Sequence, residues 1–176
     1  MRTALNTPLG KTDIGWAIKP TNTGKAPGND ELSIEFYQHY VEFLCAPPLA
    51  MYSEAFETGV LLALLREANI AVHPKSGRDP TDCESYRLLS IINVDAKILG
   101  KVLAHRLAKV AGEFIHTDQA GFVGGRTITT NIRKAFLIME QTEKEEETCA
   151  LASLDTHKAF DTVHWVLMEH MLPPMT

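Results

Sequence analysis

Apolar side chains recur at helical spacing over several stretches of this chain. Ile34, Phe36, Tyr37, Tyr40, Val41 and Leu44 give one helix its inner face, with Asp30 or Ser33 as its candidate cap. Pro47 and Pro48 stop that helix. A second is expected from about Leu49 to Leu65, interrupted near Gly59. The clearest amphipathic pattern follows Asp95, its expected cap: Ile98, Leu99, Val102, Leu103, Leu107 and Val110 lie on one face, and Lys97, Lys101, His105 and Lys109 on the other. A further helix from about Thr129 turns Ile132, Ala135, Phe136 and Met139 inward and ends in the Glu-rich run 143–147.

Strand patterns alternate with these helices. Ala68–His73, closed by Pro74, and Tyr86–Ile92 flank a turn-rich loop, Lys75–Pro80, and predict a β-hairpin with Lys75 and Arg87 on its arms. Thr148–Leu154 reads as a strand and His157–Met171 as a helix, so Asp155 stands at the strand–helix junction. Residues 1–24 are weakly patterned and predict an arm with a short helical turn around Ile14–Ile18. The fold class expected is α/β, helix-rich, with α+β character.

Composition narrows the class. The chain has 176 residues, enough for one domain with a core; 45% are hydrophobic and 22% charged, as in ordinary globular proteins. Its formal net charge of -5 argues against a free-standing nucleic-acid binder, yet the charge is uneven. Arg66–Lys109 holds eight Lys/Arg against five Asp/Glu, and Glu140–Glu147 five Glu against one Lys. Cys45, Cys83 and Cys149 are far apart and form no C-x-x-C pair, which suits reduced thiols in the nucleus or cytoplasm. The first residues lack a signal-peptide apolar region, and the longest apolar run, Val60–Leu65, is too short to cross a bilayer, so no membrane partner is expected and an intracellular location is.

The candidate chemistry has two readings at each point. A carboxylate such as Asp155 at a strand end suits Mg²⁺, which takes hard oxygen ligands and often one or two protein carboxylates; the commoner role of such a residue is to cap the next helix. Asp161, six residues on, points elsewhere on a helix and reads as surface. Lys75 and Arg87 suit a polyphosphate, Arg through its planar fork, or are ordinary hairpin charge. The lysine face after Asp95 suits a nucleic-acid backbone or is a solvated helix face. The loop Gly121–Gly125 lacks the Gly-Lys-Ser/Thr of a P-loop and reads as a tight passage.

The order of these segments is more specific than any one of them. Lys25-Ala-Pro-Gly-Asn-Asp30 is followed by Ile34-Glu-Phe-Tyr37, then Pro74-Lys-Ser-Gly-Arg-Asp-Pro80, then Tyr86-Arg87 with Ser90 and Asn93-Val-Asp-Ala-Lys-Ile-Leu99. Asp118-Gln-Ala-Gly-Phe122 with Gly125-Arg126 and Asn131-Ile132 comes next, and Ser153-Leu-Asp-Thr-His-Lys-Ala-Phe-Asp161 closes the series. In this order the chain resembles the reverse transcriptase domain of non-LTR (LINE-type, L1-like) retrotransposons, over about residues 24–165.

The resemblance implies a partial right-hand polymerase fold: 25–147 as fingers and adjoining palm, 148–176 as the first palm strand and helix, after the 1–24 arm. It implies Asp155 as the first metal-binding and catalytic aspartate, helped by the backbone carbonyl of Thr156, with Mg²⁺ as cofactor. Phe160 matches the bulky residue under the sugar of the incoming nucleotide, whose ring leaves no room for a 2′-OH. Lys75 and Arg87 match finger residues that contact template or triphosphate. Gln119, Gly121, Phe122 and Arg126 match a segment lining the approach to the site. The partners implied are an RNA template, a DNA primer and a dNTP. Asn29, Glu31, Ser33, His73-Pro74, Ser76, Leu88 and His157 depart from the family pattern. No Asp-Asp pair, the second acidic motif of the family, occurs in the sequence, so the chain alone is expected not to polymerise. The rival expectations are a non-catalytic nucleic-acid-binding remnant and a functionless relic of a mobile element.

Overall fold

The computed structural model describes residue 5 and residues 7–146, 148–156, 159 and 162–171. Two compact units divide the chain, Thr3–Val110 and Ala111–Thr176.

In the first unit, α1 (Lys11–Ile18) starts where Gly10 is extended and the Asp13 carboxylate accepts the Gly10 N–H at 3.0 Å. An acid in the first turn also suits the positive end of the helix dipole. Ile14, Ala17 and Ile18, spaced i, i+3, i+4, are all 0% exposed. The stretch expected as a weakly patterned arm therefore supplies the most deeply buried part of the core. The short helical turn expected around Ile14–Ile18 lies within α1, but eight residues interrupted by Thr12 and Gly15 are too few to show that its apolar side is core.

The expected helix over 34–44 is broken at Tyr40 (φ -107°, ψ 27°) into α2 (Ile34–His39) and α3 (Val41–Leu44). Ser33 stands at the N-cap without a side-chain cap hydrogen bond. Helix α4 (Ala46–Thr58) then holds both prolines in its first turn, where the missing N–H and the fixed φ cost little. The prolines open a helix rather than precede one at Leu49. Gly59 ends it in the left-handed region (φ 69°), as a helix C-terminus commonly does. A short α5 (Ala63–Arg66) leads into the hairpin.

Strands β1 (Ala68–Pro74) and β2 (Tyr86–Ile92) pair antiparallel, with Ala68 opposite Ile92, His73 opposite Arg87 and Pro74 opposite Tyr86. The sequence reading of this hairpin holds to within a residue. Helix α6 (Val94–Phe114) follows. Asp95, expected as its cap, lies inside the first turn, and Asn93 occupies the residue before the helix. Val94, Ile98, Leu99 and Val102 pack with Ile14, Ile34, Tyr37 and Tyr52, and Tyr52 Oη donates to the Asp95 carbonyl at 2.8 Å. Leu103 and Leu107, expected in the core, are exposed.

The second unit contains the loop after α6, α7 (Ile128–Lys144) and α8 (Trp165–Met171). The inner face expected for α7 is exposed at Ile132, Phe136 and Met139. Residues 148–156 form no strand, contrary to expectation, and Leu151 and Leu154 are exposed. A strand needs a neighbour for its backbone N–H and C=O groups, and among the described residues of this unit none is a strand. The architecture is thus helix-rich α+β with a two-stranded sheet.

Candidate nucleic-acid interface

The hairpin carries the first pair of expected contacts. Its ends are fixed by Lys75 N donating to Ser85 O at 2.7 Å. The loop between is shaped by Gly77 in the left-handed region, by Asp79 accepting from the Thr81 N–H and hydroxyl, and by Asp82 accepting the Glu84 N–H. The Tyr86 hydroxyl closes it on Pro80 O at 2.9 Å. Lys75 Nζ donates to Glu84 O at 2.6 Å, so its ammonium is held at the neck of the hairpin. Arg87 is exposed on β2 beside His73 of β1. Ile70, Val72, Leu88 and Leu89 are exposed as well, giving the ribbon an apolar surface next to its cations.

Of the lysine face of α6, Lys109 is exposed, but Lys97, Lys101 and His105 are partly covered. Lys101 Nζ donates to Thr21 Oγ1 at 2.8 Å and lies 5.8 Å from the Trp16 ring centroid; the His105 ring stacks on Trp16 at 3.9 Å. Lys97 Nζ reaches toward Ala26 O at 3.5 Å. Arg106, one position round, binds the carbonyls of Thr7 and Pro8 and pairs with Asp13 at 2.8 Å. Burial pulls the Asp13 carboxyl upward, but the Gly10 N–H and Arg106 together hold it below its ordinary range. Much of this basic face therefore fastens the N-terminal segment to α6. Periodicity shows which residues share a face but not which segment will cover it.

Three polar side chains hold this unit together: Gln38, which the sequence did not single out, and Asn93 and Glu35, which stood in it only as motif positions without a structural role. Gln38 Nε2 donates to the carbonyls at the end of α1, to Ile18 and Lys19 at 3.2 Å and to Thr21 at 2.7 Å. Asn93, buried, accepts from Asp30 N at 3.4 Å and donates to Leu64 O at 3.2 Å. Glu35 accepts the Gly24 N–H at 2.6 Å, a bond that lowers its pKa and ties the Gly24–Asp30 loop to α2. Asn93 was visible as a motif position and as an Asn just before an apolar helical run, but neither signal shows the two segments it bridges.

In the second unit Arg126 is a clamp. Its guanidinium donates to four carbonyls: Gly112 at 3.4 Å, Ile115 at 3.0 Å, His116 at 2.6 Å and Gln119 at 3.0 Å. One of these, Gly112 O, lies in the last turn of α6, where carbonyls lack helical partners and a cation is favoured. Gln119 Nε2 donates to Gly121 O at 3.2 Å. Phe122 is 98% exposed and has a positive φ of 62°. Asp118 pairs with Lys134, whose hydrogen bond and charge hold the carboxyl below its ordinary range, and Asn131 Nδ2 donates to Asp118 O at 2.7 Å. The loop, Asn131 and Lys134 thus form one hydrogen-bonded array. Along α7, residues Cys149–Leu151 border a groove of about 360 Å³ with Asp118, Lys134 and Ile138.

Asp155 and Thr156 are exposed in the irregular stretch 148–156. Phe160 and Asp161 lie outside the described residues. A carboxylate oxygen at Asp155 is the right donor for Mg²⁺ in kind. The number does not fit: among the described residues no three His, Cys, Asp or Glu side chains converge on a point. These residues do not by themselves form a two-metal centre. No described helix is long and apolar enough to cross a membrane.

The family described as reverse transcriptase (RNA-dependent DNA polymerase) matches residues 73–170, which hold the end of β1, the Lys75–Arg87 loop, α6, the Arg126 clamp, α7 and Asp155. The transposon TX1 uncharacterized 149 kDa protein of Xenopus laevis is 36% identical over 162 residues, covering 90% of this chain and 12% of that protein's length.

Proposed function

The chain belongs to the reverse transcriptase family, of the non-LTR retrotransposon kind, and on that premise we propose that it supplies the fingers and the first acidic motif of an RNA-directed DNA polymerase. Enzymes of this family act on nucleic acids and use divalent metal ions. The finer reading is that the polypeptide carrying this chain copies an RNA template from a DNA primer with dNTPs and Mg²⁺. The observation that carries it is the family match over residues 73–170, which includes Lys75 and Arg87 of the hairpin as well as Asp155.

The roles follow from the chemistry of each group. Arg87, exposed on a short paired strand, offers a planar fork of N–H donors to phosphate oxygens. Lys75 reaches the same substrate by exchanging the Glu84 carbonyl for a phosphate, a stronger acceptor because it is charged. Asp155, with the Thr156 carbonyl, is the proposed ligand for the metal. Phe160 is the proposed sugar gate. Gln119, Gly121 and Phe122 border the approach, and Arg126 acts by keeping their loop closed on α6 and not by touching substrate. The described residues do not complete the metal centre, so no chemical step is assigned to it.

Primer extension on an RNA template tests the reading. The chain alone is expected to incorporate no nucleotide. A polypeptide carrying it together with an Asp-Asp motif is expected to extend the primer and to lose that activity in Asp155→Ala. Extension by the chain alone, lost in the same variant, overturns the need for a second motif. Extension that survives Asp155→Ala overturns the role of Asp155.

A further inference from the structure

Within the first unit, residues 20–26 and the first turns of α6 enclose a cleft of about 380 Å³, inside the size range of small-ligand sites. Its floor is apolar: Ile34 and Ile98 are both buried. Its walls carry Lys25, Lys97 and Lys101, with Asn22 beside them, and no Asp or Glu lines it. In a chain of net charge -5, three ammonium groups gathered without a carboxylate make a local anion site.

The ammonium groups retain donors for a ligand. A lysine has three N–H bonds. Lys101 directs one to Thr21 Oγ1, and the contact from Lys97 to Ala26 O is at the long limit of a hydrogen bond. Lys25 is exposed on the loop fixed by the Gly24–Glu35 bond. The segment that bears Thr21 is held in turn by Gln38 and by the Thr21 hydroxyl donating to Ala17 O at 2.7 Å. The walls are therefore preorganised, which lowers the ordering cost of binding.

We propose that this cleft binds one nucleotide unit of a single-stranded nucleic acid, its phosphates on Lys25, Lys97 and Lys101 and its sugar or base over the Ile34–Ile98 floor. The proposal rests on the nucleic-acid reading above but names a site apart from the hairpin and from Asp155. Compact ammonium charges suit phosphodiester oxygens at varied angles, so the cleft takes a strand without reading its sequence. The apolar floor itself likewise carries no base preference.

Fluorescence anisotropy with a labelled single-stranded 20-nucleotide RNA and the matching DNA, titrated into the full chain over a salt series, tests it. The variants are Lys25→Glu, the triple change Lys25→Ala/Lys97→Ala/Lys101→Ala, and the hairpin pair Lys75→Ala/Arg87→Ala. Lys25→Glu, at an exposed side chain, is expected to fold as the wild type and to weaken binding by on the order of tenfold at low salt. The triple variant is expected to lower the salt slope by about 2, since each single-strand phosphate contact contributes roughly 0.7. Unchanged affinity and slope in both cleft variants, with loss in the hairpin pair, overturns the cleft and leaves the nucleic-acid reading standing. A wild-type chain that binds neither strand at low salt overturns both. Uridine monophosphate competing at the strand's own concentration assigns the cleft to a free nucleotide and overturns the strand.

Discussion

Gly28 lies against Asn93 so closely that a Cβ built on it would fall 2.0 Å from Asn93 Oδ1 and 2.5 Å from the Asn93 nitrogen. The clash includes backbone at the start of α6, which cannot swing aside as a flexible side chain does. Gly28→Ala is therefore expected to destabilise the first unit by about 3 kcal/mol, at the upper end of overpacking costs. Thermal denaturation followed by circular dichroism reads it. A melting temperature equal to wild type would show that the Gly24–Asp30 loop does not dock on Asn93 as described.

Asn93 serves two separate segments, accepting from Asp30 N and donating to Leu64 O. Truncation to Ala leaves both backbone groups without that partner in a part-buried setting. The expected loss is about 2 kcal/mol, within the range for unsatisfied buried groups. Faster amide hydrogen exchange at Asp30 is the local signature. Unchanged exchange there, with only a global loss, would count against the bridge.

Asp95 supplies a pH test. Burial is the largest cause raising its carboxyl pKa above the ordinary 3.8, and the charge of Asp30 adds to it, against the lowering effect of the Tyr37 hydroxyl bond. One oxygen of each carboxylate, Asp30 Oδ2 and Asp95 Oδ1, is buried without a hydrogen-bond partner among the described residues. Because the folded value lies above the unfolded one, the folded state binds more protons between the two. Stability from this group rises as pH falls through the folded value and levels off below the unfolded value. Asp95→Asn keeps an oxygen for Tyr37 and removes the charge. It is expected to raise the melting temperature by a few degrees at pH 7, with the gain vanishing near pH 3. A lower melting temperature at pH 7 would contradict the assignment.

Arg126→Lys keeps the charge and loses the fork. One ammonium cannot replace a planar group that serves four carbonyls. Limited proteolysis of residues 112–126 is expected to speed up several-fold, with little change in the first unit. If Lys protects the loop as well as Arg does, charge at the helix end, and not the fork, closes it.

How far each feature could be read from the sequence follows from the range of the interaction that makes it. The β1–β2 hairpin was legible because two β-rich runs flank a loop of turn residues, a local signal complete within the segment. Asp155 was picked out by an ordered series of motifs, a signal of descent that does not depend on local structure. The strand predicted before it was not found, because the apolar run at 148–154 gives a tendency and only a neighbouring strand can satisfy it. Arg126 showed the same limit: sequence gave its identity, but four backbone acceptors decided its work.

The sequence by itself determined the family, the hairpin, the long helix α6 and its charged side, since each is written in residue order or in a short period. Tertiary structure alone decided that α1 is core and not an arm, that Trp16 covers His105 and approaches Lys101, and that Lys25 joins Lys97 and Lys101 around one cleft. These pairs are separated by 70 or more residues, and no local propensity encodes them. Burial of Ile14 and Ile18 against α6 brings them together, and the cations then take positions set by that apolar contact.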